Sequence, residues 1–350
     1  MSAMLKIGSR EVGPGCPTYI IAEMSANHLG DRDRAFRIVE AAAEAGADAL
    51  KLQTYTADTI TLDCDNEHFQ ITQGTLWDGT TLHKLYEGAY TPWEWQPELK
   101  EYAESLGMDC FSSPFDPTAV EFLERMDVPA HKVASFEITD IPLIRMIART
   151  GKPVIMSKGI ARLEDIERAV TACHEEGNDQ VAILQCSSAY PSPYEDINLR
   201  TIPNLAETFG VVVGLSDHTM GHDVAVASVA LGASIVEKHL TLARADGGAD
   251  GAFSMEPAEF KAMVDGIRMV EKALGHVTYG LTAKQQASRK FARSLFVVED
   301  IKAGEELTSE NVRSIRPSDG MEPRFLNEVI GRVARVDIAA GTPLSWDLVG

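Results

Sequence analysis

Two histidines stand at the ends of neighbouring apolar stretches, where a pair of imidazoles could share one metal ion. The first stretch reads Val-Gly-Leu-Ser-Asp-His-Thr over residues 213–219, and the second reads Ser-Ile-Val-Glu-Lys-His over residues 234–239. If a helix joins them, the two strands are parallel neighbours a little under ~5 Å apart. His218 and His239 are therefore candidate metal ligands, and the alternative is that both are ordinary surface or core histidines.

Two imidazoles and a nearby carboxylate would leave a divalent cation with open positions for water and substrate. Mixed nitrogen and oxygen ligation suits Mn²⁺, Mg²⁺, Fe²⁺, Co²⁺ or Zn²⁺, so the residues do not select one ion. Such an ion can polarise a carbonyl group or activate a water molecule. Glu23 and Glu137, which also follow apolar stretches, are candidates for acid–base work or for binding a hydroxyl.

Polar residues follow the other apolar stretches as well, always at the end where the stretch stops. They are Glu23, Lys51, Gln53, Ser112, Lys132, Ser135, Ser157, Ser188, His218, Glu237 and His239. A lysine within an apolar strand needs a partner, and two lysines beside several hydroxyls suit the phosphate or carboxylate of a small anion. Each serine taken singly could instead cap a helix or end a strand.

The spacing of these stretches predicts a (β/α)₈ TIM barrel. About eight strand–helix units cover about 260 residues, and strands that are apolar throughout indicate a parallel sheet buried on both faces. The polar residues then gather at the carboxyl ends of the strands, the face where such barrels carry their chemistry. The long insertion over residues 55–92 is predicted to be a functional loop or lid.

The last part of the chain has a different rhythm and predicts a small β-rich domain. We assign residues 1–280 to the barrel, 281–292 to a linker and 293–350 to the small domain, in which two similar pieces, D-I-K-A-G-E and D-I-A-A-G-T, look like turns. Arg316 lies in a polar turn of this domain, where it could clamp an anion or an acceptor group, or could simply be an exposed loop arginine.

Composition excludes several classes of protein. The chain has 350 residues with a net charge of −20, which argues against non-specific binding to nucleic acid or to an anionic membrane. The five cysteines are dispersed, without a Cys-x-x-Cys pair, and are typical of free thiols in a reducing compartment. With no apolar signal segment at the N-terminus, we expect a cytoplasmic protein.

Three functions are compatible with these residues. The first is a metal-dependent enzyme that forms a C–C bond using an anionic, phosphorylated donor. The second is a Schiff-base aldolase with Lys132 or Lys51 as the nucleophile and the histidines as acid and base. The third, a sugar-binding protein that acts through its β-rich tail, leaves the polar strand ends unexplained.

Longer motifs along the chain resemble the sialic acid synthase family. They are Ala-Glu-Met-Ser-Ala-Asn-His at 22–28, Lys-Leu-Gln-Thr-Tyr at 51–55, Phe-Ser-Ser-Pro-Phe at 111–115, Lys-Val-Ala-Ser-Phe-Glu at 132–137, Gly-Leu-Ser-Asp-His-Thr at 214–219, Glu-Lys-His at 237–239 and Arg-Pro at 316–317. The resemblance covers essentially the whole chain in order, and the tail resembles that family's antifreeze-like (SAF, β-clip) domain. Leu-Trp-Asp-Gly at 76–79 and Thr-Pro-Trp-Glu-Trp at 91–95 are most similar to the branch that makes pseudaminic acid.

The resemblance implies condensation of phosphoenolpyruvate with open-chain 2,4-diacetamido-2,4,6-trideoxy-L-altrose. The products would be pseudaminic acid and phosphate, released by C–O cleavage. N-acetylneuraminate or legionaminate synthesis is the alternative within the family, and the Schiff-base aldolase is a more distant one.

The resemblance also implies roles for individual residues. His218 and His239 would hold Mn²⁺ or Mg²⁺, with Co²⁺ as a further candidate, and Glu23 would be the base for an attacking water. The residues implied for phosphoenolpyruvate are Lys51, Ser112, Lys132, Ser135, Ser157 and Ser188. Those implied for the sugar and the metal shell are Gln53, Glu137, Tyr190, Glu237, Asp250 and Arg316. Family members are domain-swapped homodimers, so Arg316 would come from the partner subunit.

Overall fold

Eight apolar stretches form the parallel strands of a closed barrel, as predicted. The computed structural model describes residues 3–72 and 74–350. The strands are β1 (Leu5–Ile7), β2 (Arg10–Val12), β3 (Tyr19–Glu23), β4 (Ala49–Thr54), β5 (Asp109–Pro114), β6 (His131–Val133), β7 (Val154–Ser157), β8 (Val181–Cys186), β9 (Val212–Asp217), β10 (Ile235–His239), β11 (Ser294–Val297) and β12 (Val312–Ile315). Strands β3 to β10 are hydrogen-bonded in sequence order, and β10 closes the ring against β3.

Helices follow the barrel strands and cover the outer face of the ring. The helices of the first compact unit are α1 (Arg32–Ala45), α2 (Ala57–Ile60), α3 (Leu82–Ala89), α4 (Gln96–Ser105), α5 (Pro117–Arg125), α6 (Ile141–Ala148), α7 (Leu163–Glu175), α8 (Thr201–Phe209), α9 (Asp223–Ala230) and α10 (Pro257–Leu274), whereas α11 (Ala283–Ser288) and α12 (Leu326–Val329) belong to the second unit. Local sequence sets their ends: the Asp31 side chain accepts the Arg34 N–H at the start of α1, and Gly46 ends that helix with φ of +88°. The predicted (β/α)₈ architecture is thus confirmed.

The interior of the barrel changes from apolar to ionic along its axis. Near the amino ends of the strands, Tyr19, Ile21 and Phe111 belong to one buried apolar cluster. The antiparallel hairpin of β1 and β2, which the sequence did not predict, adds its own apolar side chains to this cluster. The cluster forms a floor beneath the polar residues at the carboxyl ends of the strands.

The insertion between β4 and β5 contains two short helices, α2 and α3, rather than a structureless loop. The Thr81 side chain accepts the Lys84 N–H at the start of α3. Gln73, which falls within this insertion, lies outside the described residues.

The second compact unit begins at His276 and has its own core. Strands β11 and β12 pair in antiparallel fashion. The two similar pieces noted in the sequence lie against each other: the Asp337 carboxylate accepts the Ala303 N–H, and the Asp300 carboxylate accepts the Ala340 N–H. The reciprocal contact explains why the same short motif occurs twice.

All five cysteines are free thiols, of which Cys110, Cys173 and Cys186 are buried. In the described parts of the chain, no helix combines the length and the apolar character needed to cross a bilayer.

Gly214 of β9 packs closely against the neighbouring strands β8 and β10. A Cβ atom at this position would lie 2.3 Å from the Ile235 carbonyl oxygen and 2.7 Å from a Leu184 methyl carbon. Because backbone cannot move aside as a flexible side chain can, we expect Gly214→Ala to lower the free energy of unfolding by about 2 kcal/mol or more. Thermal unfolding of the variant measures this loss.

Gly88→Ala is the matched control, because a Cβ atom there meets nothing within 4 Å and the glycine is helical. We expect this control to be neutral or slightly stabilising, by up to about 1 kcal/mol. A Gly214→Ala variant as stable as the control would contradict the strand packing described here.

Candidate active site

Lys51 lies inside the barrel at its carboxyl end and is almost fully buried. Its Nζ lies 2.6 Å from a carboxylate oxygen of Glu23 and 3.2 Å from one of Glu237. A second buried lysine, Lys132, has its Nζ 3.9 Å from the other oxygen of Glu237. Since a buried ammonium group needs an anionic partner, these contacts fix four predicted site residues in one cluster.

The pKa values of the two carboxyl groups in this cluster are shifted in opposite directions. Burial raises the pKa of Glu23 to about 7 despite the opposing charge of Lys51. Burial acts on Glu237 too, but Lys132 and Lys51 together hold the pKa of that carboxyl below its ordinary value. Burial also disfavours the charged form of Lys51, yet the two carboxylates outweigh it and raise its pKa to about 12. Glu23 is therefore the carboxyl of this pair that can exchange a proton near neutral pH.

Three of the predicted serines join the lysines at the barrel mouth. The Lys132 ammonium donates to the Ser157 hydroxyl at 2.7 Å. A Cβ atom on Gly159 would lie 2.3 Å from Ser135 Cβ and 2.5 Å from Ser188 Oγ, so the Gly159 backbone lies directly against both side chains. The buried Ser188 hydroxyl has no hydrogen-bond partner within the described residues. These side chains place hydrogen-bond donors close to Lys132.

Ser112 differs from the other predicted serines, because its hydroxyl lies outside this cluster. It is hydrogen-bonded to the Thr54 hydroxyl at 2.6 Å, and Thr54 in turn donates to Gln96 of α4. The neighbouring Ser113 accepts a hydrogen bond from the Lys51 ammonium at 3.3 Å instead. Successive side chains of a strand point to opposite faces, so a difference of one residue decides which serine enters the barrel.

The two histidines lie side by side on adjacent strands, as the sequence predicted. Lys238 of β10 pairs with Asp217 of β9, and a histidine directly follows each of these two residues in the sequence. The rings of His218 and His239 have centroids 5.3 Å apart at an angle of 65°. His218 Nδ1 lies 2.9 Å from the Ser187 carbonyl oxygen, to which it must donate, so Nε2 is the nitrogen that carries the lone pair when the ring is neutral.

The donor atoms around these rings fit a divalent cation held by two imidazoles. Nδ1 of His239 is buried without a hydrogen-bond partner among the described residues, and so is one oxygen of Glu237. Burial and the neighbouring His218 hold the pKa of His239 well below its ordinary value, so that it is the neutral imidazole that a metal requires. No group of three or more His, Cys, Asp or Glu side chains in residues 3–72 and 74–350 is arranged to hold a metal ion. A cation held by the two imidazoles alone would keep its other positions for water and substrate.

Asp250 reaches the same place from the glycine-rich loop after β10. Its carboxylate lies 3.8 Å from His239 Nδ1 and accepts a hydrogen bond from the Ser25 hydroxyl. The Gln53 amide donates both to Ser25, at 2.9 Å, and to Glu23, at 3.0 Å. One polar chain thus links the histidines to the ion-pair cluster.

Tyr190 and Glu137 lie at the rim of this region. The Tyr190 ring packs on His218 with a centroid separation of 4.5 Å and on Phe253 at 5.2 Å. One oxygen of Glu137 is shielded from solvent without a partner in the described structure, and burial raises the pKa of this carboxyl to about 7. Both side chains could contact a substrate that reaches the histidines through the barrel mouth.

The insertion between β4 and β5 covers part of the mouth through Trp77. Its indole N–H donates to the Ala249 carbonyl at 3.0 Å, and its ring lies 5.6 Å from that of Tyr190. Beside it is a cavity of about 330 Å³ lined by Leu29, Trp77, Leu85 and Ala249, among others. Trp93, directly after this insertion, instead packs on Phe122 of α5 and does not line this cavity.

Arg316 is the one predicted site residue outside the first compact unit. It lies in the second unit, directly after β12. The barrel residues that the first unit brings together therefore do not include it.

Four residues at the site were missed by sequence reasoning. They are Ser25, Ser113, Cys186 and Phe253. Cys186 Sγ lies 3.9 Å from His218 Nδ1 and 3.5 Å from Ser135 Oγ. The Phe253 ring packs on His239 at 5.0 Å and on Tyr190. Cys186 ends a barrel strand as the predicted residues do, and that position was the signal available in the sequence.

Comparison with known proteins gives a consistent family. The NeuB family model matches residues 38–279, and a SAF domain model matches residues 292–350. The pseudaminic acid synthase of Campylobacter jejuni (strain 81-176) is 47% identical over 93% of this chain and 95% of its own length. That of Helicobacter pylori is 45% identical over 95% of this chain and 97% of its own length.

A solved structure agrees with these matches. The N-acetylneuraminic acid (sialic acid) synthetase of Leptospira borgpetersenii is 31% identical, with a TM-score of 0.74 over 82% of this chain and 95% of that one. The barrel, the tail domain and the similarity along nearly the whole sequence lead to one conclusion. This chain belongs to the NeuB family.

Proposed function

We propose that the chain condenses phosphoenolpyruvate with 2,4-diacetamido-2,4,6-trideoxy-L-altrose to give pseudaminic acid and phosphate. The identity to two pseudaminic acid synthases, at 47% and 45% over nearly the whole chain, supports this acceptor over that of the neuraminate enzyme at 31%. The observation that carries the reaction is the barrel mouth itself. It brings buried lysines and hydroxyls together with two imidazoles.

Lys51, Lys132 and the hydroxyls of Ser157, Ser135 and Ser188 would hold the donor. Phosphoenolpyruvate carries a phosphate and a carboxylate, and charge-assisted hydrogen bonds to both are strong in a buried site. Ser113, which accepts a hydrogen bond from Lys51, would take the role that the sequence assigned to Ser112. The donor would thus lie beside Glu237, which keeps the lysines charged.

His218 and His239 would hold Mn²⁺ or Mg²⁺, with Co²⁺ as a further candidate. When bound, the cation would polarise the aldehyde of the open-chain sugar. Glu23, whose carboxyl can accept a proton near neutral pH, would deprotonate the water that attacks the donor carbon. Gln53 donates to Glu23 and would keep this carboxyl oriented.

Glu137, Tyr190 and Asp250 would orient the acceptor above the histidines. The cavity beside Trp77 has an apolar wall, which suits the methyl groups of a sugar with two acetamido substituents and a deoxygenated C6. We also propose a homodimer in which Arg316 of the partner subunit reaches the sugar, by its resemblance to the family and by the fork geometry of a guanidinium group.

A Schiff-base aldolase remains the competing mechanism, and one observation favours it. Burial lowers the pKa of Lys132, as a nucleophilic amine requires. Against it, Lys132 donates to Ser157 and lies near Glu237, which favour its charged form. Trapping with borohydride in the presence of phosphoenolpyruvate or sugar separates the two mechanisms.

The proposal is tested by phosphate release from phosphoenolpyruvate with Mn²⁺, with candidate acceptor sugars compared side by side. We expect the altrose derivative to give the highest kcat/KM. The control acceptors are N-acetylmannosamine and the diacetamido sugars of legionaminate synthesis. If one of these is preferred, the acceptor is wrong but the reaction stands. No release with any sugar, together with a borohydride-trapped adduct, would establish the aldolase instead.

His239→Ala should abolish turnover while the barrel stays folded. Losing one of two imidazoles removes several kcal/mol of transition-state stabilisation, which corresponds to a rate loss of more than about 100-fold. Phosphate release measures turnover, and circular dichroism with thermal unfolding checks the fold. His222→Ala is the control, because that ring is 43% exposed and lies in the turn before α9. Full turnover in His239→Ala would remove the metal proposal.

Gly159→Ala should weaken binding of phosphoenolpyruvate. The new methyl group would displace the Ser135 and Ser188 side chains, which it would approach to 2.5 Å or less. We expect KM for phosphoenolpyruvate to rise by about 10-fold or more, with a smaller effect on KM for the sugar. Initial-rate kinetics with each substrate varied in turn measure this difference. Equal effects on both constants would argue that the anion lies elsewhere.

A further inference from the structure

Directly behind the two histidines, on the outer face of the barrel wall, lies a buried ion pair. The Lys238 ammonium is 2.6 Å from an oxygen of Asp217, and the exposed fractions of the two side chains are 1% and 0%. Neither residue has a role in the reaction proposed above. Their position between the strands and the covering helices keeps them from touching a substrate in the barrel.

The pair is joined to the histidines through the strands themselves. Asp217 and Lys238 are register partners on β9 and β10, and they immediately precede His218 and His239. Because side chains alternate across a strand, the ion pair points outward while both imidazoles point into the barrel. A contact that fixes the first two residues against each other therefore fixes the spacing of the next two.

The pair also holds the backbone on the far side of His218. The Lys238 ammonium donates a second hydrogen bond to the Thr219 carbonyl at 2.6 Å. The other oxygen of Asp217 accepts the Thr219 N–H at 2.9 Å. His218 thus lies between two residues, Asp217 and Thr219, that are both fastened to Lys238. This is more restraint than β9 would receive from the sheet alone, since the strand ends at Asp217.

Stability alone does not account for charges at this place. The outward positions two residues earlier on the same strands are Leu215 and Val236, and both belong to apolar clusters. Burying an ion pair costs desolvation free energy, and apolar residues of similar volume often stabilise a fold equally well. What apolar side chains cannot supply is the directed set of bonds to Thr219.

We propose that Asp217 and Lys238 are positioning residues that hold His218 and His239 at the spacing a divalent cation requires before the cation binds. This inference rests on the proposed metal role of the two histidines. Partners outside the first coordination shell commonly contribute about 10- to 100-fold to metal affinity.

The test removes both charges together and keeps the volume. Asp217→Asn/Lys238→Met leaves an amide oxygen for the Thr219 N–H and places an unbranched apolar chain where the lysine lies. Co²⁺ alone is the probe, because its absorption spectrum reports ligand geometry without any turnover. We expect the folded double variant to bind Co²⁺ about 10- to 100-fold more weakly than the unchanged protein, with an altered visible spectrum.

Arg10→Met is the matched control, because it removes an ion pair from the opposite end of the barrel. Arg10 donates to the Asp109 carboxylate at 2.9 Å, at the start of β5. We expect this variant to lose thermal stability and to keep the Co²⁺ affinity and spectrum unchanged. A folded double variant that binds Co²⁺ as the unchanged protein does would overturn the positioning role.

The same test separates this inference from the proposal beneath it. If the unchanged protein binds no Co²⁺ and His239→Ala keeps full turnover, the metal role fails and the positioning role fails with it. If Co²⁺ binds and depends on His239 but not on the ion pair, only the positioning role fails.

Amide hydrogen exchange of the metal-free, unchanged protein gives an answer even if the double variant does not fold. A pair that forms before metal binding must protect the Thr219 N–H, although Thr219 follows the end of β9. Strong protection of that amide supports the inference. Exchange at the rate of an open loop would overturn it.

Discussion

A lysine ammonium group can be buried at the centre of a barrel only with carboxylates beside it, and the site depends on how Lys51 meets this condition. Glu23 and Glu237 reach it from β3 and β10, one strand and two strands away from its own β4. Glu23 also accepts a hydrogen bond from Gln53, and Glu237 also lies near the ammonium group of Lys132. The charge balance around one side chain therefore arranges groups from four strands and leaves Glu23 able to accept a proton.

Much of this arrangement could be predicted from the sequence, because it follows from strand periodicity. Apolar stretches separated by helical segments predicted the barrel, and the succession of β9 and β10 along the chain predicted that the two histidines would be adjacent. The choice between Ser112 and Ser113 could not be made, since it depends on which face of β5 each residue occupies. The register of β4 against β5 decides that question, and register is a property of the assembled sheet.

Contacts between distant segments were beyond the sequence for a similar reason. Ser25 and Asp250 are 225 positions apart and meet only because the barrel closes. The insertion, predicted as a functional loop or lid, shows the same limit: Trp77 lies at the mouth, whereas Trp93, directly after the insertion, packs against α5. The composition of a loop does not say which of its side chains will be used to hold it in place.

The apolar floor of the barrel limits the routes by which substrates can enter and products can leave. Tyr19, Ile21 and Phe111 fill the space below the ionic layer, and the hairpin of β1 and β2 packs beneath them. Whatever enters by the mouth must also leave by it. Under the proposed reaction, the phosphate set free in one turnover remains where the next phosphoenolpyruvate must bind. Inorganic phosphate is then a competitor of the donor, and its accumulation in a closed vessel slows the enzyme before the substrates run out.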